Sequence, residues 1–120
     1  YSPLNSDPSV REIRLLHLQP GAWKDPIQGT LDVVSLSKKP KYQALSYVWG
    51  DPTNRKPISI DGELFLATQY LFNALQRIRH PWKQLYLWVD AVCINQDDLH
   101  ERQNQVAIMG EIYNGAEEVL

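Results

Sequence analysis

Cysteine is almost absent from this sequence: Cys93 stands alone, which excludes an internal disulfide. The chain also lacks an Asn-x-Ser/Thr acceptor for N-glycosylation and a signal-like amino terminus. These absences favour a cytoplasmic protein. No apolar run approaches the roughly 20 residues that a membrane helix needs, so we expect no membrane partner.

An excess of either charge is missing as well. The formal net charge is -2, with 12 basic and 14 acidic side chains. This balance argues against nucleic acid as the main partner. Two small basic clusters, at 38–41 and 77–79, are interpreted as solvated surface and the carboxyl end of a helix. With 120 residues and a hydrophobic share of 43%, the chain is long enough for one globular domain.

Several catalytic motifs are incomplete or absent. No glycine-rich phosphate loop is present, which disfavours a standard nucleotide-binding fold. The residues from His100 begin like a zinc-protease helix, but Asn104 stands where the second histidine would be. Cys93 lies in an apolar stretch, so we interpret it as an inert buried thiol. The sequence therefore predicts no metal site.

The order of predicted elements indicates an α/β protein. Strands are expected at 11–18, 30–37, 42–50 and 84–94, and a hairpin at 57–67 turns at Asp61-Gly62. The first strand should be half-buried, with Arg14 and His17 on its polar face. Thr68 is the predicted amino-terminal cap of a helix that reaches about His80. A second helix should run from Asp98 to about Gly115, with Glu101 completing a capping box.

The second half of the chain follows a βαβ pattern, which predicts parallel strands. Ligands in such sheets collect at the carboxyl ends of the strands. Asp90 and the amides Asn95 and Gln96 fall at one such end, where an apolar strand hands over to a helix. The chain begins without Met and ends in what resembles the start of a strand, so we expect it to be part of a longer protein.

The predicted last helix points three polar side chains toward the sheet. On a helical wheel, Glu101, Arg102 and Gln105 share the arc of the aliphatic residues. Two interpretations stay open. Glu101 could cap its own helix while Arg102 neutralises Asp90 or Asp97, or this edge could line a cleft that waits for a ligand.

Aromatic residues mark a further candidate site. Trp49 ends a predicted strand and Gly50 follows it, so the ring could stack on a base or a pyridine ring, or simply plug the core. Trp82 and Trp88 are expected in the core or covering it.

Two long segments carry a family resemblance. "YQALSYVWGD" at 42–51 and "LWVDAVCINQDDLHERQNQVAIMGEIYNGA" at 87–116 resemble the HET (heterokaryon incompatibility) domain of filamentous fungi. The resemblance spans about residues 11–120, so we expect residues 1–120 to be one HET domain whose carboxyl-terminal remainder is missing. It implies a non-self recognition and programmed cell death module, similar to an innate immunity protein.

The resemblance further implies a distant relationship to TIR domains, and so a TIR-like, flavodoxin-like sheet with a hairpin insertion. Some TIR domains cleave NAD at the nicotinamide–ribose bond. By that analogy Glu101 is the catalytic carboxylate of an NAD hydrolase, with NAD as substrate and no cofactor. The substrate-binding residues would then be Trp49, Gly50, Asp90, Asn95, Gln96 and Arg102.

Three functions remain open on the sequence. The first is an NAD-cleaving death effector that becomes active on self-assembly. The second is a non-catalytic module that self-associates or recruits other incompatibility proteins and NOD-like signalling proteins. The third is a nucleotide sensor without turnover. Convergence of Trp49, Asp90, Glu101 and Arg102 on one open pocket would favour the two functions that need a ligand.

Overall fold

A computed structural model describes residues 1–5, 7, 9–46 and 54–120 of the chain. These residues form one mixed seven-stranded sheet with helices packed against it. The strands are β1 (Glu12–Leu18), β2 (Gln28–Ser35), β3 (Gln43–Ala44), β4 (Arg55–Ile60), β5 (Glu63–Thr68), β6 (Leu85–Trp88) and β7 (Glu118–Val119). The helices are α1 (Gln69–Ile78), α2 (Asp90–Cys93), α3 (Leu99–Ala107) and α4 (Met109–Gly115).

The strand order is β5-β4-β2-β1-β6-β3-β7. Strand β1 is antiparallel to both of its neighbours, whereas β6 and β7 both run parallel to β3. The predicted α/β class and the parallel second half are therefore confirmed. Because β1 lies fourth of seven, it links a mixed half, in which β2 and β4 pair in parallel, to the parallel half that contains β3, β6 and β7.

The hairpin formed by β4 and β5 is confirmed at its predicted turn. Asp61 has φ 54° and Gly62 has φ 78°. A type I′ turn requires positive φ at both central residues, which explains the Asp-Gly pair. Strand β5 ends the sheet and leaves Leu64 and Leu66 exposed.

Helix α1 begins and ends where the sequence predicts. The Thr68 hydroxyl accepts a hydrogen bond from the Leu71 N–H at 3.2 Å, which satisfies one of the free amides of the first turn. Leu71 and Leu75 are buried on the face that packs against β4 and β5. The helix ends at Ile78, shortly before Pro81, which has no N–H to continue it.

The apolar stretch at 84–94 is not one strand, so that prediction is wrong. Strand β6 ends at Trp88, and Asp90 begins the short helix α2. The Cys93 N–H donates to the Val89 carbonyl at 2.8 Å and closes this turn. Val92 and Cys93 are fully buried, so the helix is as apolar as the strand before it. A short apolar run does not distinguish the two structures by periodicity.

Strand β1 is buried on both faces, which corrects the half-buried prediction. Ile13, Leu15 and Leu16 are buried, but so is Arg14, with 1% of its surface exposed. Helix α2, Glu101 of α3 and the amino-terminal segment cover the face of β1 that carries Arg14. Arg14 therefore needs a buried partner of opposite charge.

The last helical segment is broken rather than continuous. Ile108 has φ -106° and ψ 8° and separates α3 from α4. The predicted end near Gly115 is confirmed, as is the strand that follows, β7. In the predicted strand at 42–50, β3 covers Gln43–Ala44, and 47–50 lie outside the described residues.

Alanine substitutions at two glycines should have different effects on the stability of the protein. Gly62→Ala should lower the free energy of unfolding by about 1 kcal/mol, because an alanine Cβ disfavours φ 78°. Gly110→Ala in α4 is the matched control. Neither glycine has an atom within 4 Å of an added Cβ, so only the backbone differs. In urea unfolding, Gly110→Ala should be neutral or stabilising; equal losses in both variants would contradict the turn assignment.

Candidate functional site

A buried ion pair joins Arg14 on β1 to Glu101 on α3. The guanidinium Nη1 and Nη2 lie 2.7 Å from Oε2 and Oε1 of the carboxylate. Glu101 is only 8% exposed. A bidentate pair of this kind is the strongest form of charge-assisted hydrogen bond. Both oxygens of the carboxylate are therefore occupied within the fold.

Neighbouring backbone groups complete the surroundings of this pair. The Asn95 N–H donates to Glu101 Oε2 at 2.5 Å, and Arg14 donates to the carbonyls of Cys93 at 3.1 Å and Ser2 at 2.6 Å. The Tyr1 ring lies 4.7 Å from the Arg14 guanidinium carbon, in a cation–π arrangement. The amino-terminal segment thus contacts the ion pair on one side, and the α2–α3 loop contacts it on another.

Only half of the predicted capping box forms. The Asp98 carboxylate accepts from the Glu101 N–H at 3.1 Å, which confirms Asp98 as the cap of α3. In a complete box the Glu101 side chain would bond back to the amide of Asp98. It bonds to Arg14 and to the Asn95 amide instead, because a buried cation competes for the carboxylate.

Arg102 is exposed, which corrects its predicted inward position. The buried face of this segment is centred on Glu101, Gln105 and Ile112. On a wheel of about 100° per residue, Arg102 lies to one side of that centre. Leu99 and Val106 lie on the predicted inward-facing arc, yet both are exposed. Arg102 borders a shallow surface depression with these two side chains.

Gln105, one turn after Glu101, also packs inward. Its amide donates to the Glu12 carbonyl at 2.9 Å, which ties α3 to the start of β1. Its side-chain oxygen has no hydrogen-bond partner among the described residues. Glu101 and Gln105 border a cavity of about 100 Å³ beneath Pro3 and Leu4.

Asp90 lies at the carboxyl end of β6, as predicted, and begins α2. Its burial raises the pKa of this carboxyl above the ordinary value, despite a hydrogen bond from the Ala91 N–H. Asp90 in turn contributes to raising the pKa of Tyr113 on α4, where burial is the larger cause. The Tyr113 ring packs edge-on against buried Trp88. Asp90 is therefore close enough to Tyr113 for its charge to act on that phenol.

The amides of the predicted site lie beside a groove. Gln96 donates from its side chain to the Asp90 carbonyl at 2.9 Å and the Ile94 carbonyl at 3.2 Å, which shapes the α2–α3 loop. Asn95, Gln96 and Asp97 form one wall of the groove, and the β4–β5 hairpin forms the other. The groove has a volume of about 470 Å³. Neither Asp90 nor Glu101 is among its lining residues.

The predicted site residues thus lie in different surroundings. Glu101 is in the ion pair, Asp90 is beside Tyr113, and Arg102 is on the outer surface of α3. Trp49 and Gly50 lie outside the described residues. Asn95 and Gln96 line the groove together, but Asp90, Glu101 and Arg102 do not line it with them.

Arg14 is the residue that sequence reasoning missed. Its signal was a lone cation inside an otherwise aliphatic run, which we had assigned to a solvated face. Its partner stands 87 positions further along the chain. A cation in so apolar a strand would have been better matched with the inward-facing acid of the last helix.

Other chemistries find little support in the described part of the chain. Cys93 is buried, and desolvation raises the pKa of its thiol to about 12, in agreement with an inert thiol. Within the described ranges, no three His, Cys, Asp or Glu side chains are grouped so that they could hold a metal ion. Nor is any described helix of a length and apolarity that would cross a membrane.

The comparisons with known proteins match a region that contains both segments of the family resemblance, 42–51 and 87–116. The sequence model described as "Heterokaryon incompatibility protein (HET)" matches residues 42–120, well over half of the chain. The chain belongs to the heterokaryon incompatibility family. Across 96% of its length it is 40% identical to the Neurospora crassa protein named heterokaryon incompatibility protein 6, OR allele. It covers 19% of that relative's length. No solved structure matches the chain.

The family match includes Glu101 but not Arg14. The matched residues begin at Tyr42, immediately before β3, and contain the whole parallel half of the sheet. The antiparallel strands β1 and β2 precede the match. In this HET chain, the acid of the family segment is therefore neutralised by a residue that lies before it.

The ion pair predicts strong coupling between its two members. Arg14→Met or Glu101→Met alone should cost about 3–5 kcal/mol of unfolding free energy, because each leaves a buried charge unpaired. The double variant should cost less than the sum of the two, since it removes both charges. Chemical denaturation of the four proteins measures this coupling. Additive losses would contradict a structural ion pair.

The raised pKa of Asp90 predicts that the difference in stability between wild type and Asp90→Asn depends on pH. Because its folded-state pKa is raised above 3.8, the folded protein holds the proton more tightly than the unfolded chain. Ionised Asp90 therefore destabilises the fold, and stability is lost as pH rises through the folded pKa. Asp90→Asn should be more stable than wild type at pH 7, and the difference should vanish below about pH 3.8. Thermal melting between pH 3 and 8 tests this, with exposed Asp97→Asn as the matched control.

Proposed function

We propose that this chain acts in heterokaryon incompatibility as a contact module, which recognises protein partners and itself, and that Glu101 holds the fold together. The observation that carries the proposal is the bidentate Arg14–Glu101 pair. Family membership supports the incompatibility role, and the engaged carboxylate supports a structural part for Glu101. We place its action in the cytoplasm, with other incompatibility proteins and NOD-like signalling proteins as partners.

Chemistry at Glu101 would require the ion pair to open. A carboxylate that stabilises an oxocarbenium-like ribose must approach the sugar directly. Here each carboxylate oxygen lies 2.7 Å from a guanidinium nitrogen, and the side chain is almost fully buried. Separating the pair would leave two buried charges without partners, which is costly. A structural role needs no such rearrangement.

The exposed surface is better suited to protein contacts. Large apolar side chains are exposed in several parts of the described chain, among them Leu64 on β5, Trp82 after α1 and Val106 on α3. Aromatic and aliphatic side chains of this kind form the centres of protein interfaces. A contact module therefore uses the surface as it is.

A second candidate is cleavage of NAD at the nicotinamide–ribose bond. One observation favours it: the parallel strands lie in the order β6-β3-β7. Numbered along the chain as 2-1-3, this is how a flavodoxin-like sheet begins, and ligands bind such sheets at the carboxyl ends of the strands. Asp90, which follows β6, lies at such an end.

Nicotinamide release distinguishes the two candidates. We expect the protein that carries this chain to trigger the incompatibility reaction in fungal cells without a fall in cellular NAD. The Arg14→Met/Glu101→Met double variant, which lacks the acid but removes its partner too, should still trigger the reaction. Cell death and NAD are measured in the same cultures, and purified protein is assayed for free nicotinamide.

The controls separate loss of folding from loss of chemistry. Glu101→Gln retains the shape of the side chain, and its melting temperature shows whether the fold survives. Nicotinamide release by wild type, abolished in a double variant that is still folded, would overturn the contact proposal and establish the second candidate.

A further inference from the structure

Two tryptophans project from adjoining loops at the carboxyl end of α1. Trp23 is 59% exposed and Trp82 is 82% exposed, whereas Trp88 is fully buried. The Gly21 N–H donates to the His80 carbonyl at 3.2 Å, which joins the two loops. Trp82 had been expected in the core or covering it. Its exposure corrects that prediction. An indole in this position places a large apolar surface in contact with water, which needs an explanation.

A buried arginine fixes the loop that displays Trp23. Arg79 is 7% exposed, and its guanidinium donates to the carbonyls of four loop residues. The acceptors are Ala22, Trp23 (3.4 Å), Asp25 (3.0 Å) and Pro26 (2.8 Å). The Gln76 amide also donates to the Trp23 carbonyl at 2.8 Å. The loop is therefore ordered before any partner arrives, which lowers the entropy lost on binding.

The second loop is held in a similar way. The backbone amides of Trp82 and Lys83 both donate to His80 Nδ1 at 3.0 Å. Lys24 and Lys83 are exposed beside the two indoles. We call Trp23, Lys24, Trp82 and Lys83 the tryptophan patch. It combines fixed aromatic surface with positive charge, which suits an apolar socket with an acidic rim.

The groove at the amino-terminal end of α1 combines an apolar lining with acidic residues. Thr68 and Leu71, at the start of the helix, line it, whereas Gln76 and Arg79 at the end of the helix hold the patch. Its apolar lining includes Leu31, Ile60, Phe65, Leu71 and Ala91, and its ionisable lining residues are Tyr1, Asp61, Glu63, Asp97 and Arg55. We call it the acidic groove, because its lining has three carboxylates and one guanidinium.

We propose that the tryptophan patch of one copy docks into the acidic groove of a second copy of this chain. The volume of about 470 Å³ accommodates an indole, and Glu63 and Asp97 are exposed at its rim, where they would meet Lys24 and Lys83. This inference rests on the proposed contact function and names its partner. Patch and groove are different surfaces, so the contact is head-to-tail and leaves a free patch at one end and a free groove at the other.

Sedimentation velocity of the whole chain over a range of concentrations tests the docking. We expect concentration-dependent assembly that weakens as salt rises, because charges are paired across the contact. Trp82→Ala and Glu63→Lys should each weaken assembly by roughly 30-fold or more, the effect of a hot-spot residue. Exposed Val106→Ala lies outside both surfaces and is the matched control. Melting temperatures confirm that all variants fold.

Mixing two defective variants tests the head-to-tail geometry. Trp82→Ala retains a working groove, and Glu63→Lys retains a working patch. Together they should form a one-to-one pair that grows no further, whereas each alone stays monomeric. The combined Lys83→Glu and Glu63→Lys variant should recover part of the assembly through the reversed ion pair.

Three results would overturn the docking. One is a wild-type chain that stays monomeric at every concentration. Another is assembly that survives Trp82→Ala. A third is a monomeric chain that binds phosphatidylserine vesicles through Trp82, which would assign the patch to a membrane surface. None of these involves nicotinamide release, so failure of the docking and failure of the proposed contact function are read separately.

Discussion

The arrangement of the family segment depends on the ion pair between buried Arg14 and Glu101. Arg14 lies in the central strand of the sheet, where no water can solvate it, so the fold must bring a carboxylate to it. Glu101 meets that need and also accepts from the Asn95 amide. The ion pair therefore positions the start of α3 and the loop before it relative to β1. The polar loop that resembles a site in the sequence is held in place by this same contact.

Local features could be predicted from the sequence because their causes lie within a few residues. The Asp61-Gly62 turn needs only two residues that tolerate positive φ, and the Thr68 cap needs only one hydroxyl before a helix. The βαβ half follows from the order of apolar runs. The features that were not predicted include the end of β6 inside an apolar run and the burial of Arg14. Both depend on what packs against the segment from elsewhere in the chain.

The candidate site shows the limit of a helical wheel. The wheel treated residues 99–116 as one straight helix and included Leu99 and Val106 in its inner face. The chain instead breaks at Ile108, and the inner face is centred on Glu101 because Arg14 attracts it. A charge that has a buried partner can outweigh apolar side chains in orienting a short helix. Arg102 therefore points outward, although its spacing alone suggested the opposite.

Arg79 uses its guanidinium as Arg14 does, to fix a segment far away in the sequence. It lies at the carboxyl end of α1, near the negative end of the helix dipole, which favours a cation there. Its remaining donors bind the loop carbonyls before β2, and that loop is thereby held with Trp23 pointing outward. A loop that served only to connect two strands would not need a buried charge to define its path. The cost of burying Arg79 is explained if the position of Trp23 matters to a partner, as the proposed docking requires.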